Sequence, residues 1–139
     1  MKKYKIGYTT GVFDMFHIGH LNILQRAKEL CEYLIVGVTT DQLCYDRKQK
    51  YPIINEKDRQ AIVAAIKYVD QVVSQEDMDK AKAIQKYHCD AVFVGSDWQG
   101  TPSWNQYEKD FAKLGCEVVY LSHTDGISST ILREKIQSR

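Results

Sequence analysis

The sequence predicts a single α/β domain over residues 1–139, with a Rossmann-like, doubly wound sheet of five mostly parallel strands. Three observations favour this fold class. Apolar runs of strand length alternate with stretches of helical periodicity, the order that gives a parallel sheet with helices on both faces. The run YLIVGVTT is almost entirely apolar and β-branched, as in strands buried on both faces. A length of 139 residues fits one domain, and no linker, repeat or low-complexity tract divides it.

The N-terminal part of the chain predicts a strand, a helix and a second strand. KIGYTTGVF (5–13) is the first strand. Residues 17–31 are predicted as a helix, because Leu21 and Leu24 begin a series of apolar residues at helical spacing. YLIVGVTT (33–40) is the second strand.

A polar, basic loop, DRKQKYPII (46–54), is expected next. Asn55 is a predicted N-cap for a helix that runs to about Tyr68, with Asp58 three residues on as a weak capping-box partner.

The rest of the chain alternates strand-like and helix-like segments. In chain order they are VDQVVS (69–74, strand), DKAKAIQKYHC (79–89, helix), DAVFVGSD (90–97, strand) and CEVVYLSH (116–123, strand). Between the last two strands, Thr101-Pro102 begins a helix that stops at Gly115, a pattern of N-cap, first-turn proline and C-terminal glycine. Ser128 or Ser129 can cap a final helix.

The strand-to-helix turns are the expected ligand sites, because ligands of such sheets bind at the carboxyl ends of strands. Four turns carry many polar residues: 11–20, 39–50, 95–100 and 122–130.

The turn at 11–20 holds two of the four histidines of the chain. His17 and His20 are three residues apart and share one face of the first helical turn. Gly19 between them allows close approach of a ligand to the backbone. A helix N-terminus attracts anions, and imidazoles there can donate to phosphate oxygens. The alternative is that one histidine caps the helix and the other is a surface residue.

The other three turns give weaker signals. A polyphosphate ligand is the simplest explanation that accounts for all of them. The basic cluster Arg47 to Lys50 can bind anions or simply be solvated. Asp97 could accept from a base or sugar and Trp98 could stack, or both could belong to a plain turn. The segment 123–130 offers hydroxyls and N–H groups at a helix start, which suit phosphate or ordinary capping.

Composition argues against several other classes. The net charge is +1, so nucleic acid and anionic membrane are not expected partners. No apolar run approaches the ~18 residues of a membrane span. The four cysteines are scattered without a Cys-x-x-Cys pair, which argues against a zinc site and favours a reduced, cytoplasmic protein. P-loop and dinucleotide-binding glycine motifs are absent.

The motifs together resemble the cytidylyltransferase branch of the HxGH nucleotidyltransferases, in particular its bacterial members that act on glycerol 3-phosphate. The resemblance covers nearly the whole chain, and the joint order and spacing make it specific. It rests on GVFDMFHIGH (11–20), Lys48-Gln49-Lys50, Asp58-Arg59, Lys67-Tyr68-Val69-Asp70, Gly95-Ser96-Asp97-Trp98 and HTDGISST (123–130). The chain departs from the family pattern at His123 and Lys67, where arginine is usual.

The resemblance implies transfer of a cytidylyl group from CTP to a small alcohol phosphate, most simply glycerol 3-phosphate, with release of pyrophosphate. It implies a catalytic role for His17, His20 and Lys50. It implies nucleotide binding by these three and by Val12, Phe13, Ile18, Gly19, Asp97, His123, Thr124, Asp125, Gly126, Ile127, Ser128, Ser129 and Thr130. It assigns Lys48 and Lys80 to the acceptor, and Asp14 and Arg59 to support of the site. Mg²⁺ would arrive with CTP rather than occupy a protein cage, and a homodimer is implied.

Three alternatives remain open from the sequence. The acceptor could be phosphoethanolamine, phosphocholine or another alditol phosphate. The transferred group could be adenylyl. The domain could also bind a nucleotide without catalysis, although binding alone does not require both imidazoles.

Overall fold

The computed structural model describes residues 2–122. The strands are β1 (Tyr4–Gly11), β2 (Cys31–Thr39), β3 (Gln71–Gln75), β4 (Ala91–Gly95) and β5 (Glu117–Leu121). The helices are α1 (Ile18–Leu30), α2 (Asp41–Lys48), α3 (Glu56–Ala64), α4 (Lys80–Tyr87) and α5 (Pro102–Ala112). A short 3₁₀ turn (Ser96–Trp98) follows β4.

The strands form one sheet in the order β3-β2-β1-β4-β5, and every neighbouring pair is parallel. The predicted α/β, Rossmann-like fold with a five-stranded parallel sheet is therefore confirmed. The chain winds from β1 through β2 to β3 in one direction, and then returns across the sheet to β4 and β5. The direction of winding therefore changes between β1 and β4, the kind of position where ligands bind in open α/β sheets.

Each face of the sheet carries its own hydrophobic core. Alternate residues of β2 point to opposite faces, so Val36 packs in one cluster while Ile35 packs in the other. The first cluster includes Leu24 of α1 and Val63 of α3, and the second includes Ile84 of α4 and residues of α5. Burial of β2 on both faces agrees with its almost unbroken apolar sequence.

The structure differs from the sequence prediction after β2. Residues 46–48, predicted as loop, belong to α2, which begins when Thr40 Oγ1 accepts from Leu43 N at 3.1 Å. Only Leu43 and Cys44 of this helix are buried, so its apolar pattern is too short to reveal a helix. Gln49 ends the helix in a left-handed conformation (φ 59°).

The helix that starts after Asn55 is shorter than predicted. Asn55 Oδ1 caps α3 by accepting from Asp58 N at 2.9 Å, as expected, but the helix ends at Ala64 rather than near Tyr68. Asp70 explains the early end, because its Oδ2 accepts from Leu34 N at 2.7 Å and pairs with Lys28 Nζ at 2.6 Å. These long-range contacts draw residues 65–70 into a turn that starts β3.

Other helix and strand ends differ by a few residues from those predicted from the sequence. Strands predicted as 5–13, 90–97 and 116–123 end at Gly11, Gly95 and Leu121. Thr101 caps α5 and Pro102 begins it, as predicted, and Gly115 has a positive φ of 76° three residues past its end. The predicted final helix lies outside the described residues.

No helix within residues 2–122 combines the length and apolarity that crossing a membrane would require.

Candidate active site

The turn between β1 and α1 contains backbone that ordinary residues avoid. Phe13 and Met15 have φ values of 55° and 49°, in the left-handed region that favours glycine. Such a conformation costs on the order of 1–3 kcal/mol per residue and persists only where surrounding contacts enforce it. The turn that carries the two histidines is therefore held by other parts of the molecule.

Asp14 supplies one of these restraints. Its side chain is buried, with 2% exposure, and accepts two backbone hydrogen bonds from the loop before α3. Ile53 N donates to Oδ2 and Ile54 N donates to Oδ1, each at 2.9 Å. The carboxylate therefore joins the β1–α1 turn to a segment about forty residues away.

Arg59 supplies a second restraint from α3. Its side chain has 1% exposure. Nη1 donates to the carbonyl oxygens of Val12 and Thr39, both at 2.7 Å, and Nε donates to that of Ile54 at 2.8 Å. Nη2 pairs with Asp41 Oδ1 at 2.5 Å. One guanidinium thus fixes the carboxyl ends of β1 and β2 relative to each other, which fits the supporting role that the sequence resemblance implies for Arg59 and Asp14.

His17 and His20 form a reciprocal cap at the start of α1. His17 Nδ1 accepts from Gly19 N at 3.0 Å, and His20 Nδ1 accepts from His17 N at 3.2 Å. Since each Nδ1 accepts a hydrogen bond, each neutral ring carries its proton on Nε2. Capping therefore uses Nδ1 of each ring and leaves the Nε2–H for a ligand, so the capping role and the ligand-binding role considered from the sequence are compatible.

Both imidazoles are held neutral by their surroundings. Their rings stack with centroids 3.9 Å apart, and the His20 ring also meets Phe13 and Phe16 at 5.4 and 5.2 Å. Burial lowers the pKa of His20 to about 4, with the neighbouring His17 as a second cause. Burial also lowers the pKa of His17. At neutral pH the pair presents N–H donors rather than cations.

A cavity of about 320 Å³ opens at the carboxyl ends of the strands, on the α4–α5 side of the sheet. It brings together Lys48 of α2 and Lys80 of α4, the two lysines expected to bind the acceptor. The β1 end contributes Val12, whose carbonyl Arg59 holds. The cavity wall also includes Thr39, Arg47, Gln75, Trp98, Trp104 and Tyr107.

Lys80 is a buried cation in this cavity, with 8% exposure. Burial lowers its pKa to about 8, and the positive charge of Arg47 adds to the effect. Its Nζ lies 5.4 Å from the centroid of the Trp104 ring. A pKa near 8 keeps most of the population protonated at pH 7.

Other predicted site residues lie outside this cavity. Lys50 is exposed in the bend after α2, and Asp97 is exposed in the 3₁₀ turn after β4. Ile18 is exposed at the first position of α1. The predicted nucleotide-binding residues from His123 to Thr130 lie outside the described residues. The two histidines are not part of the cavity wall, but they occupy the same turn as Val12.

Sequence reasoning missed several residues of the cavity wall. Thr39 Oγ1 donates to the buried Gln75 Oε1 at 2.7 Å, which joins the ends of β2 and β3 beneath the cavity. Trp104 and Tyr107 come from the first turns of α5. A usable signal existed, because the two aromatic residues are three apart in a helix that begins at the same sheet edge.

Comparison with known proteins agrees with the motifs. Residues 8–135 match the family described as cytidylyltransferase-like. The chain is 39% identical over 129 residues to glycerol-3-phosphate cytidylyltransferase from Bacillus subtilis (strain 168), an alignment that covers 92% of this chain and 94% of that protein. It is 34% identical over 132 residues to the protein of the same name from Staphylococcus aureus (strain NCTC 8325 / PS 47), with 94% of each covered.

A solved structure shares the architecture. The lipopolysaccharide core biosynthesis protein from Thermoplasma volcanium GSS1 superposes with a TM-score of 0.72 at 28% identity, over 87% of this chain and 97% of that one. The sequence matches, the parallel sheet and the histidine pair at the β1–α1 turn lead to one assignment: the chain belongs to the cytidylyltransferase-like family.

Proposed function

We propose that this protein is an enzyme that transfers the cytidylyl group of CTP to glycerol 3-phosphate, forming CDP-glycerol and releasing pyrophosphate. Relatives named for this activity align with it over more than nine tenths of both chains. The cytidylyltransferase-like family match spans nearly the whole sequence. The proposal is also supported by the parallel sheet, in which the described turns 11–20, 39–50 and 95–100 follow strands at the same edge.

The observation that carries the mechanism is the orientation of the two imidazoles. Both Nδ1 atoms accept backbone hydrogen bonds, so Nε2–H is the remaining donor of each ring. His17 Nε2 is buried and has no hydrogen-bond partner among residues 2–122. An unsatisfied buried donor costs free energy, and a phosphate oxygen of the bound nucleotide would satisfy it.

The proposed reaction needs donors more than it needs a base. A phosphate oxygen of glycerol 3-phosphate attacks the α-phosphorus of CTP. The bond from that phosphorus to the bridging oxygen breaks, and pyrophosphate leaves with the electron pair. The nucleophile is already an anion, so no proton has to be removed. Negative charge gathers on the α-phosphate oxygens, where His17 and His20 would donate hydrogen bonds that strengthen in the transition state.

In this proposal, three lysines bind the other phosphate groups of the two substrates. Lys48 and Lys80 line one cavity and would hold the phosphate of the acceptor. Lys50 is exposed nearby, two residues beyond Lys48, and would contact the CTP phosphates. A cavity of about 320 Å³ suits a small polyol phosphate.

Mg²⁺ is proposed to enter with CTP. The phosphates of CTP would supply the ligands of the ion, as is usual for Mg²⁺ in nucleotide sites. Within residues 2–122 there is no group of three or more His, Cys, Asp or Glu arranged to hold a metal ion. The ion would neutralise phosphate charge, while the histidines and lysines act as described.

The assembly and location are also proposals. Ile18, Tyr51 and Ile53 are large apolar side chains exposed near the start of α1 and in the loop before α3, which supports a homodimer. Four buried free cysteines suit the reducing cytoplasm. Small anionic substrates require neither nucleic acid nor membrane as a partner.

Pyrophosphate release tests the function. Purified protein with Mg²⁺ and CTP is expected to release pyrophosphate with glycerol 3-phosphate, and a His17→Asn, His20→Asn double variant is the inactive control. ATP should replace CTP poorly, and phosphoethanolamine, phosphocholine and other alditol phosphates should replace glycerol 3-phosphate poorly. Preference for ATP or for another acceptor would overturn that part of the proposal. CTP binding without turnover in any combination would indicate a non-catalytic module.

A further inference from the structure

Lys80 is a buried cation without an anionic partner within residues 2–122. No carboxylate lies within ion-pair distance of it among the described residues, and its Nζ makes no hydrogen bond there. Its close partner is instead the face of Trp104, 5.4 Å from Nζ to the ring centroid. An aromatic face attracts a cation without consuming its hydrogen-bond donors or neutralising its charge.

The Trp104 ring is itself held rigidly. Its side chain has 6% exposure and belongs to the hydrophobic cluster under α4 and α5. Tyr107 packs edge-on against it at 5.0 Å and stacks in turn on Phe111 at 5.6 Å. Thr101 caps the helix just before Trp104, with Oγ1 accepting from Trp104 N. The indole therefore forms a fixed platform on one wall of the cavity.

We propose that Trp104 is a positioning residue for the acceptor phosphate, because its indole face holds the Lys80 ammonium group in the cavity that Lys48 also lines. This inference rests on the proposed function and adds a residue to it. A carboxylate in place of the indole would also hold Lys80, but it would neutralise the cation and repel a phosphate. The indole leaves all three ammonium protons for the ligand.

The charges around Lys80 agree with this role. Arg47 and Lys48 line the same cavity as Lys80 from α2. Lys80 also lines a second cavity, whose other charged residues are the carboxylates Glu76, Asp77 and Asp79 and the cations Lys82 and Lys86. Glu76 is exposed to solvent. Asp79 caps α4 and Asp77 pairs with Lys82, so both carboxylates have other partners. Burial and Arg47 lower the pKa of Lys80 to about 8. A bound phosphate would favour the protonated form and raise that pKa.

Steady-state kinetics of matched variants test the proposal. Trp104→Leu keeps an apolar side chain but removes the aromatic face, and should raise KM for glycerol 3-phosphate about tenfold with little change in kcat or in KM for CTP. Trp104→Phe retains an aromatic face and should stay within about threefold of wild type. Phe111→Leu is the control for loosened packing, since Phe111 belongs to the same aromatic row but does not line the cavity.

The kinetic outcomes are decisive in either direction. An unchanged KM in Trp104→Leu would overturn the proposal, as would an equal rise in Phe111→Leu. If wild type prefers a different phosphate acceptor, the proposed substrate is wrong, and the same comparison is made with the preferred acceptor.

A fluorescence titration tests the contact without turnover. The chain has two tryptophans, so a Trp98→Phe background isolates the emission of Trp104. That emission should change with pH around a midpoint near 8, and the change should vanish when Lys80→Met is added. Glycerol 3-phosphate, or inorganic phosphate as a probe that needs no catalysis, should raise the midpoint. A midpoint that neither ligand moves would contradict phosphate binding at Lys80.

Discussion

The backbone N–H of His17 donates to Nδ1 of His20 at 3.2 Å, and the two imidazole rings stack with centroids 3.9 Å apart. The first histidine therefore fixes the tautomer and orientation of the second. Because His17 Nδ1 accepts in the same way from Gly19 N, the helix start determines which proton each ring can offer. Each Nδ1 has a structural task, which leaves Nε2 for chemistry.

Substitution of His17 by asparagine should separate these two tasks. Asparagine is a favoured N-cap and can accept from the helix start, so stability should stay within about 0.5 kcal/mol of wild type. It cannot reproduce the Nε2–H donor, so kcat should fall roughly 10²–10³-fold. His17→Ala should lose the same activity and about 1 kcal/mol of stability as well. Urea unfolding and pyrophosphate release measure the two effects, and wild-type turnover in His17→Asn would refute the donor role.

The low pKa of His20 predicts that acid destabilises the fold. The pKa of about 4 in the folded chain lies below the ordinary value of 6.5. Between pH 4 and pH 6.5, the imidazole therefore binds a proton in the unfolded chain but not in the folded chain. This contribution to stability is fully present above about pH 6.5 and is lost as pH falls toward 4. After allowance for partial exposure, the loss is on the order of 1–2 kcal/mol. Urea unfolding across this range should show a flatter pH dependence in His20→Asn, and equal slopes would contradict the assignment.

Arg59 should be the costliest single side chain to lose in this region. Arg59→Met would leave the carbonyl oxygens of Val12 and Thr39 without the donors that now bind them. Loss of these bonds and of the Asp41 pair should lower the free energy of unfolding by about 3–5 kcal/mol. Lys57→Met, on the exposed side of the same helix, is the matched control and should change stability by less than about 0.5 kcal/mol. A loss below about 1 kcal/mol in Arg59→Met would show that the network is not a restraint.

Lys48 and Lys50 should affect different substrates. Lys48 lines the cavity with Lys80, so Lys48→Gln should raise KM for glycerol 3-phosphate about tenfold or more while calorimetric CTP affinity stays nearly unchanged. Lys50 lies outside that wall, and Lys50→Gln should weaken CTP instead. A large loss of CTP affinity in Lys48→Gln would reassign that lysine to the nucleotide.

The parts of the fold that sequence predicts well are those with a strong local pattern. Strand β2 is almost wholly apolar, and the caps Asn55 and Thr101 precede their helices as expected. Helix α2 escaped prediction because it buries only two residues, and α3 ends early because Asp70 makes its contacts with distant Leu34 and Lys28. Local periodicity contains no information about such partners.

The same distinction applies to the site. The sequence placed Lys48 in a polar turn after the second strand, and the family resemblance assigned Lys80 to the acceptor; the structure brings both to the wall of one cavity. The position of Trp104 at the sheet edge could have been inferred, but its contact with Lys80 could not, since the two residues are 24 positions apart and lie in different helices. The roles of the segment 123–130 remain predictions of the sequence.

By itself, the sequence determined the fold class, the family and the residue types at the sheet edge, because alternating apolar periodicity and ordered motifs are local properties. Only the tertiary structure decided the state of those residues. Burial against Phe13 and Phe16 makes His20 a neutral donor. Lys80 has no ion pair within residues 2–122, and its ammonium group lies over the indole of Trp104. Protonation and hydrogen-bond availability depend on desolvation and on neighbours distant in sequence, which exist only once the chain has folded.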